Sequence, residues 1–294
     1  MHIRMTLIAC LALLGACAHS PQIAREASAA DGLRVISADD LQWGHLNPAR
    51  GDASPRAANL WGDRSEDQAT GFLVRFAPGF SSPAHIHNVS YRAVVIEGSV
   101  HNDDPSAAQQ WMGPGSFWTQ PAGESHITAA ASDYNLALVE IDSGPYLVRP
   151  EQQAFDNGEQ PLNLAADNIV WLVAPGQEAN RQSNFAGAEV AYLWGRFESA
   201  RHNENPVWNG SFVKLPAGFK GRIQSSSPAL HAVLISGQIN LGADEQLLTA
   251  GSYFGIDKRT TDTELEYTVA NNYSEAAVLY LRTNGSYQLI SADK

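Results

Sequence analysis

Three histidines in the first half of the chain have a spacing that could bring their imidazoles together. His85 and His87 are two residues apart, so on a β-strand both side chains point to the same face. His126 follows a turn set by Pro121 and Gly123, so we expect it on a separate strand. If both strands face one interior, three buried neutral imidazoles would meet there, and a metal ion would satisfy their nitrogen atoms. The spacing therefore predicts a metal site formed by His85, His87 and His126.

A ligand set made only of imidazoles limits which metal ions can bind and which reactions they can support. It suits one divalent transition metal, with iron, zinc, nickel and copper all open. Three protein ligands that leave coordination positions free are typical of a catalytic rather than a structural site. Without a protein anion, the ion would attract hydroxide, dioxygen or an anionic substrate. We expect a small-molecule partner and a metal-dependent dioxygenase or hydrolase; the alternative is a non-catalytic module that binds or senses the metal or its ligand.

The residues around these histidines resemble the cupin superfamily. The pattern runs Gly79, five residues, His85-Ile86-His87, three residues, Tyr91, six residues, Gly98, then Gly115, five residues, Pro121-Ala122-Gly123, two residues, His126. Cupins carry a glutamate where Tyr91 stands and an asparagine where Ala130 stands. The segment from Gln120 to His126 is similar to that of uncharacterised cupins related to the metal-binding cupin domain of an anti-sigma factor. The resemblance implies jelly-roll β-barrels, and the missing glutamate argues against the oxalate chemistry of manganese-dependent cupins.

Tyr91 and Glu124 are candidates for a catalytic role beside the predicted metal site. Tyr91 could donate a hydrogen bond to a metal-bound group, ligate as phenolate, or only fill the barrel. Glu124 lies two positions before His126, so on a strand it would share the face of that histidine and could act as a general base. A solvated turn carboxylate is the other interpretation of Glu124. The sequence leaves both pairs of alternatives open.

The glycine skeleton occurs twice in the chain. Residues 94–100 (VVIEGSV) align with residues 233–239 (VLISGQI), and the residue numbers differ by 139. Short apolar strands bounded by turn signals fill both copies. We therefore predict an all-β chain of two tandem cupin (double-stranded β-helix, jelly-roll) barrels.

The second copy has lost the candidate site. The positions of the three histidines and Tyr91 hold Gln224, Ser226, Asp262 and Leu230. This set does not offer three converging metal ligands, whereas the glycines remain because they serve the backbone. We predict a structural second barrel that packs against the first, covers its mouth or forms a homodimer interface.

The sequence of the N-terminal segment predicts a targeting signal rather than a part of the folded protein. A basic start and a short apolar run precede Leu14-Gly15-Ala16-Cys17, which resembles the bacterial lipobox. This implies lipidation at Cys17, an envelope protein on the periplasmic face, and export to the outer membrane with the lipid as its only membrane anchor. The net charge of −12 argues against nucleic-acid binding, which needs a basic surface.

These features divide the chain into five segments. We predict a lipoprotein signal peptide over 1–16, a flexible tether over 17–30, a metal-binding cupin domain over 31–150, a polar linker over 151–166 and a degenerate cupin domain over 167–294.

Overall fold

The structure consists of β-strands joined by turns and short 3-10 helices. It is a computed structural model that describes residues 25–176, 187–195, 207–258 and 264–292. The strands before residue 170 are β1 (Arg25–Glu26), β2 (Arg34–Ile36), β3 (Gly44–His45), β4 (Arg56–Trp61), β5 (Thr70–Phe76), β6 (His85–His87), β7 (Tyr91–Glu97), β8 (Val100–Asp103), β9 (Phe117–Gln120), β10 (Ile127–Ala130), β11 (Asn135–Ile141), β12 (Val148–Pro150) and β13 (Leu162–Leu164).

The later strands follow the same alternation of strand and turn. They are β14 (Leu172–Val173), β15 (Glu189–Gly195), β16 (Asn209–Leu215), β17 (Lys220–Ser225), β18 (Leu230–Ser236), β19 (Gln238–Leu241), β20 (Gln246–Thr249), β21 (Tyr253–Ile256), β22 (Leu265–Ala270), β23 (Ala277–Thr283) and β24 (Tyr287–Ser291). The 3-10 helices are Ala29–Asp31, Ala38–Asp40, Pro48–Ala53, Glu151–Gln153 and Ala166–Asn168. Over the described ranges, no helix is long and apolar enough to cross a bilayer.

Each half of the chain is a jelly roll made of two facing layers. The first half has a seven-stranded sheet of order β13-β9-β7-β11-β5-β4-β3, faced by the pairs β10-β8 and β12-β6. The second half has a seven-stranded sheet of order β14-β15-β16-β23-β18-β21-β2, faced by β20-β19-β22-β17-β24. The two-copy jelly-roll prediction is confirmed. In the part of the chain described here the sheets stay open at their edges rather than closing into barrels.

The large sheets are buried on both faces. Along β7, Ala93 and Val95 face the interior of the first jelly roll, whereas Val94 and Ile96 face the second half. On the other side, Val233 and other residues of the second sheet complete a core shared by the two halves. This two-sided burial explains why these strands contain continuous apolar runs instead of a polar-apolar alternation.

A glycine follows one inner strand of the large sheet in each copy. Gly98 and Gly237 follow β7 and β18, with φ angles of 85° and 78°. At both positions a Cβ atom would run into backbone atoms of the neighbouring chain segment. Only glycine meets both demands, which is why the repeat keeps its glycines although the second copy has lost its histidines.

Three short strands join sheets that the predicted segments do not indicate. In the predicted tether, β1 pairs with β22, and in the predicted first domain, β2 pairs with β21, so both belong to the second half. The predicted linker contains β13, which pairs with β9 at the edge of the first sheet. Edge strands of two or three residues need few apolar residues, so their composition does not reveal which sheet they join.

A buried ionic cluster joins the two large sheets. Arg282 of β23 lies 3.3 Å from Glu140 of β11 and 2.8 Å from Asp142, and both Arg282 and Glu140 are 1% exposed. Arg92 of β7 reaches the same two carboxylates at 3.3 and 2.8 Å. Burial opposes ionisation of Asp142, but the hydrogen bond from Arg92 and the charge of Arg282 outweigh it and lower its pKa to about 2. Every charge in the cluster therefore has a partner of opposite sign.

We predict that Arg282→Met lowers the free energy of unfolding by about 3 kcal/mol, because it leaves Glu140 buried with one cationic partner fewer. Arg34→Met is the matched control, since Arg34 forms a half-exposed pair with Asp257 at 3.9 Å and should change stability by less than about 1 kcal/mol. Denaturant unfolding measures both values, and equal losses in the two variants would contradict the role of the cluster.

Candidate metal centre

The structure brings the three predicted histidines together on neighbouring strands. His85 and His87 are the first and last residues of β6, and His126 lies one residue before β10. Paired backbone hydrogen bonds of 3.1 and 3.0 Å join His85 to His126. One nitrogen atom from each ring lies within 4.8 Å of the other two, and His87 and His126 are almost fully buried. Within the described residues, no other group of three His, Cys, Asp or Glu side chains converges in this way.

Backbone carbonyl groups fix the orientation of each imidazole. The Nδ1 atoms of His85, His87 and His126 lie 2.9, 3.1 and 3.1 Å from the carbonyl oxygens of Pro83, Leu147 and Glu124. A carbonyl oxygen can only accept a hydrogen bond, so each Nδ1 carries the hydrogen atom. The lone pair of each ring is therefore on Nε2, which is the arrangement in which a histidine can ligate a metal.

The electrostatics of the cluster fit a cation. Burial, then the neighbouring His85, lowers the pKa of His126 to about 3, and burial lowers the pKa of His87 well below its ordinary value. Burial also lowers the pKa of His85. The Nε2 atom of His126 is buried without a hydrogen-bond partner. A metal ion would satisfy this lone pair, so the three neutral imidazoles fit a divalent transition metal.

Tyr146 contacts the histidine cluster, although no motif in the sequence marks it. Its hydroxyl lies 3.1 Å from Nε2 of His87, and its ring stacks on the His87 ring at 4.3 Å between centroids. Burial raises the pKa of Tyr146 well above its ordinary value, so with no ion bound the phenol is protonated and donates to His87. Tyr146 follows β11 in a Gly-Pro-Tyr segment outside the cupin pattern, so no spacing in the sequence marks it.

Tyr91 lies beside the cluster with its hydroxyl directed elsewhere. It is buried on β7, and its hydroxyl donates to Oδ1 of Asn102 at 3.0 Å and accepts from Nε1 of Trp118 at 3.4 Å. Its ring packs edge-on to His87 at 5.3 Å. The contacts of Tyr91 are those of a buried packing residue in a polar network rather than those of a metal ligand.

Asn102 connects Tyr91 to a histidine of the cluster through a buried hydrogen-bond chain. Asn102 donates to Oε1 of Gln120 at 2.8 Å, and Gln120 donates at 3.3 Å to the carbonyl of Glu124. That carbonyl is the one that holds Nδ1 of His126. The chain therefore supports the orientation of His126 from the interior of the jelly roll. The sequence pointed to neither Asn102 nor Gln120 as part of the site.

Glu124 contacts the cluster through its backbone carbonyl, which faces His126. The residue also lines a separate hollow with Phe155 and Asn157, and its Oε2 atom is buried without a hydrogen-bond partner. Burial, followed by the charges of Asp103 and nearby carboxylates, raises its pKa. Glu124 lies before β10 and outside any strand, so the two-residue alternation of a strand does not place its side chain on the face of His126.

An apolar cavity of about 330 Å³ opens next to the histidines. Its walls are mostly apolar side chains, and His85, His87 and Tyr146 add polar atoms; the apolar residues include Val74, Phe76, Phe80, Trp118 and Val139. The exposed residues Arg50 and Arg149 also line it. The positive charge of Arg50 contributes, after burial, to the lowered pKa of His85, so Arg50 lies close to the site. The cavity suits a small molecule with an apolar body.

The corresponding space in the second half is filled with core residues. Leu230, at the position of Tyr91, is part of an apolar cluster that also contains Phe219, Phe254 and Tyr267. Gln224 donates a hydrogen bond to the carboxylate of Glu264 at 2.7 Å, and Ser226 is exposed. Asp262 lies outside the described residues. A purely structural role for the second copy stays a prediction.

Comparison with known proteins places the chain in a family. Residues 34–290 match the family described as "Domain of unknown function (DUF4437)". The chain belongs to this family. No curated protein matches this chain.

Solved structures share the fold of this family member at low sequence identity. A protein of Nostoc punctiforme, provisionally assigned as a dioxygenase, aligns with a TM-score of 0.61 and 11% identity, covering 89% of this chain and 87% of that chain. GK1651 of Geobacillus kaustophilus gives 0.52 and 15%, covering 86% and 95%. Oxalate decarboxylase of Lactobacillus farciminis, in complex with formate, gives 0.50 and 12%, covering 87% and 88%. Cupin proteins therefore share this fold, and the narrower relation to the anti-sigma-factor domain stays a prediction.

Proposed function

We propose that this protein binds one divalent transition metal through His85, His87 and His126 and acts as an enzyme on a small organic molecule. The observation that carries the proposal is the meeting of three neutral imidazoles, with the buried Nε2 of His126 unpartnered, beside an apolar cavity. Iron, zinc, nickel and copper all accept this ligand set. Oxygenase-like and hydrolytic reactions are the two reaction classes that we propose.

Different residues of the chain would have different roles at such a site. A transition metal held by the three histidines would supply Lewis acidity toward an oxygen-containing group. The apolar walls, among them Val74 and Val139, would exclude water and hold an apolar substrate body. Arg50 would attract an anionic group to the rim of the cavity. This lining disfavours oxalate, which has two charges and no apolar part.

A non-catalytic module that binds or senses the metal is the alternative function. The same three histidines and the same cavity would serve it, because a bound ligand need not react. The cavity argues against a sensor of the metal alone, which needs no space for an organic molecule beside the ion, but it suits both an enzyme and a module that binds a ligand.

The metal proposal predicts about one transition-metal ion per chain in protein expressed from Ala18 onward, measured by elemental analysis without added metal. Because burial keeps the histidines neutral, the ion should remain at about pH 6, where an exposed histidine of pKa about 6.5 is mostly protonated, and leave on stronger acidification. His126→Ala should lose the ion, and His45→Ala, which changes a histidine outside the cluster, should keep it. Folded protein without metal, or equal metal content in both variants, would contradict the assignment of the metal site.

Turnover separates an enzyme from a binding module. We expect metal-loaded protein to convert a member of a panel of apolar carboxylic acids and esters, followed by oxygen uptake and mass spectrometry, and His126→Ala to lose that conversion. Saturable binding of several panel members without any product would support the binding module instead.

We also propose that the protein is a lipoprotein of the bacterial envelope, held at the periplasmic face of the outer membrane. The support is the order of charge, apolar run and small residues before Cys17, all in a segment outside the described residues. Cys17→Ser should release the protein from the membrane fraction into the soluble periplasm, as followed by immunoblotting. Unchanged association with membranes would refute lipidation.

A further inference from the structure

We propose that Tyr146 is the fourth protein ligand of the metal centre and binds as a phenolate. The inference rests on the proposed metal site and adds to it the anionic ligand that the histidines lack. It assigns to Tyr146 the role of the cupin glutamate, whose sequence position is occupied here by Tyr91.

The first argument is the distance between donor atoms. Two ligands bound at about 2.0–2.1 Å to one ion, with an angle between the octahedral and tetrahedral values, lie about 3 Å apart. The hydroxyl of Tyr146 lies 3.1 Å from Nε2 of His87. The phenol oxygen and the imidazole nitrogen therefore have the separation of adjacent ligands on one ion.

The second argument is the rigid placement of the tyrosine. Asn88, the residue after His87, donates to the carbonyl of Pro145 at 2.9 Å and accepts from the backbone N–H of Leu147 at 2.8 Å. These two bonds hold the backbone on both sides of Tyr146. Leu147 then returns its carbonyl to Nδ1 of His87. One short loop thus positions both the phenol and the imidazole that it faces.

The third argument is charge. Three neutral imidazoles leave a divalent ion with its full charge, and none of the residues that line the cavity is Asp or Glu. A phenolate at Tyr146 would cancel one unit of that charge beside His87 and His126, which are almost fully buried. On binding, the O–H bond of the phenol breaks, its proton passes to solvent buffer, and the oxygen lone pair forms the bond to the metal.

Tyr91 is excluded from this role by its contacts. Its hydroxyl is engaged by Asn102 at 3.0 Å and by Trp118 at 3.4 Å, on the interior side of the jelly roll. Tyr91 is buried and Tyr146 is half-buried, and their rings lie 5.9 Å apart, edge to face. Tyr91→Phe is therefore a matched control for Tyr146→Phe, with the same atom removed from the same cavity wall.

Iron provides a readout that does not depend on activity. Protein from Ala18 onward, which contains every described residue, is loaded with Fe(II) without oxygen, oxidised to Fe(III) by ferricyanide and desalted. Iron is then quantified by elemental analysis. A tyrosinate ligand gives a visible phenolate-to-iron charge-transfer band and tyrosinate modes in the resonance Raman spectrum. We expect both signals in the wild type and in Tyr91→Phe, and complete loss of both in Tyr146→Phe that still binds iron.

The possible outcomes separate the two proposals. Iron bound to the wild type without a tyrosinate signal overturns the role of Tyr146 and leaves the three-histidine site standing. A signal that survives in Tyr146→Phe but is lost in Tyr91→Phe also overturns it. Absence of bound iron, and of any other transition metal tried, overturns both proposals. If Tyr146→Phe does not fold, the wild type and Tyr91→Phe decide the matter. A tyrosinate signal present in both proteins identifies Tyr146, because it is then the remaining phenol in contact with the cluster.

Discussion

The donation of each Nδ1 hydrogen to a backbone carbonyl is the interaction on which the site depends. With the hydrogens of His85, His87 and His126 fixed in this way, three lone pairs point into one small space. A side-chain acceptor would allow the rings to rotate with its own rotamers, whereas a main-chain carbonyl moves only with the backbone. The fold therefore controls the ligand geometry directly through the main chain.

The packing between the two halves supports the geometry of the histidines through β11. That strand contributes Glu140 to the buried ionic cluster, and Asp142 follows it directly. Four residues beyond Asp142 the chain arrives at Tyr146, and then at Leu147, whose carbonyl holds His87. The second half has no histidine cluster in its described part, but it anchors the segment that carries these two contacts. The loss of chemistry in one copy is thus compatible with a structural role in supporting the other.

Local spacing predicted the parts of the site that lie within one strand or one turn. The pair His85 and His87 follows from strand alternation, and His126 follows from the turn before it. Tyr146 and Asn102 reach the cluster only through tertiary pairing, so neither has a fixed distance from the histidines in the sequence. For Glu124 the sequence left a base and a turn carboxylate open, because strand alternation does not extend into the segment before β10. The double jelly roll was predictable from the repeated glycines, but which sheet each short edge strand joins depends on pairings that two or three residues do not encode.

Because β2 pairs with β21 of the second sheet, no single cleavage of the chain would separate the two copies intact. β2 completes the sheet of the second half, and the chain must then cross to build the first half before it returns. A protein produced from either side of residue 150 alone would lack an edge strand or expose a sheet face that is now covered. The first strands to be synthesised must therefore wait for the last ones before they can pair. The first two described strands, β1 and β2, thus join the jelly roll without the histidine cluster, and the residues that line the cavity follow them in the chain.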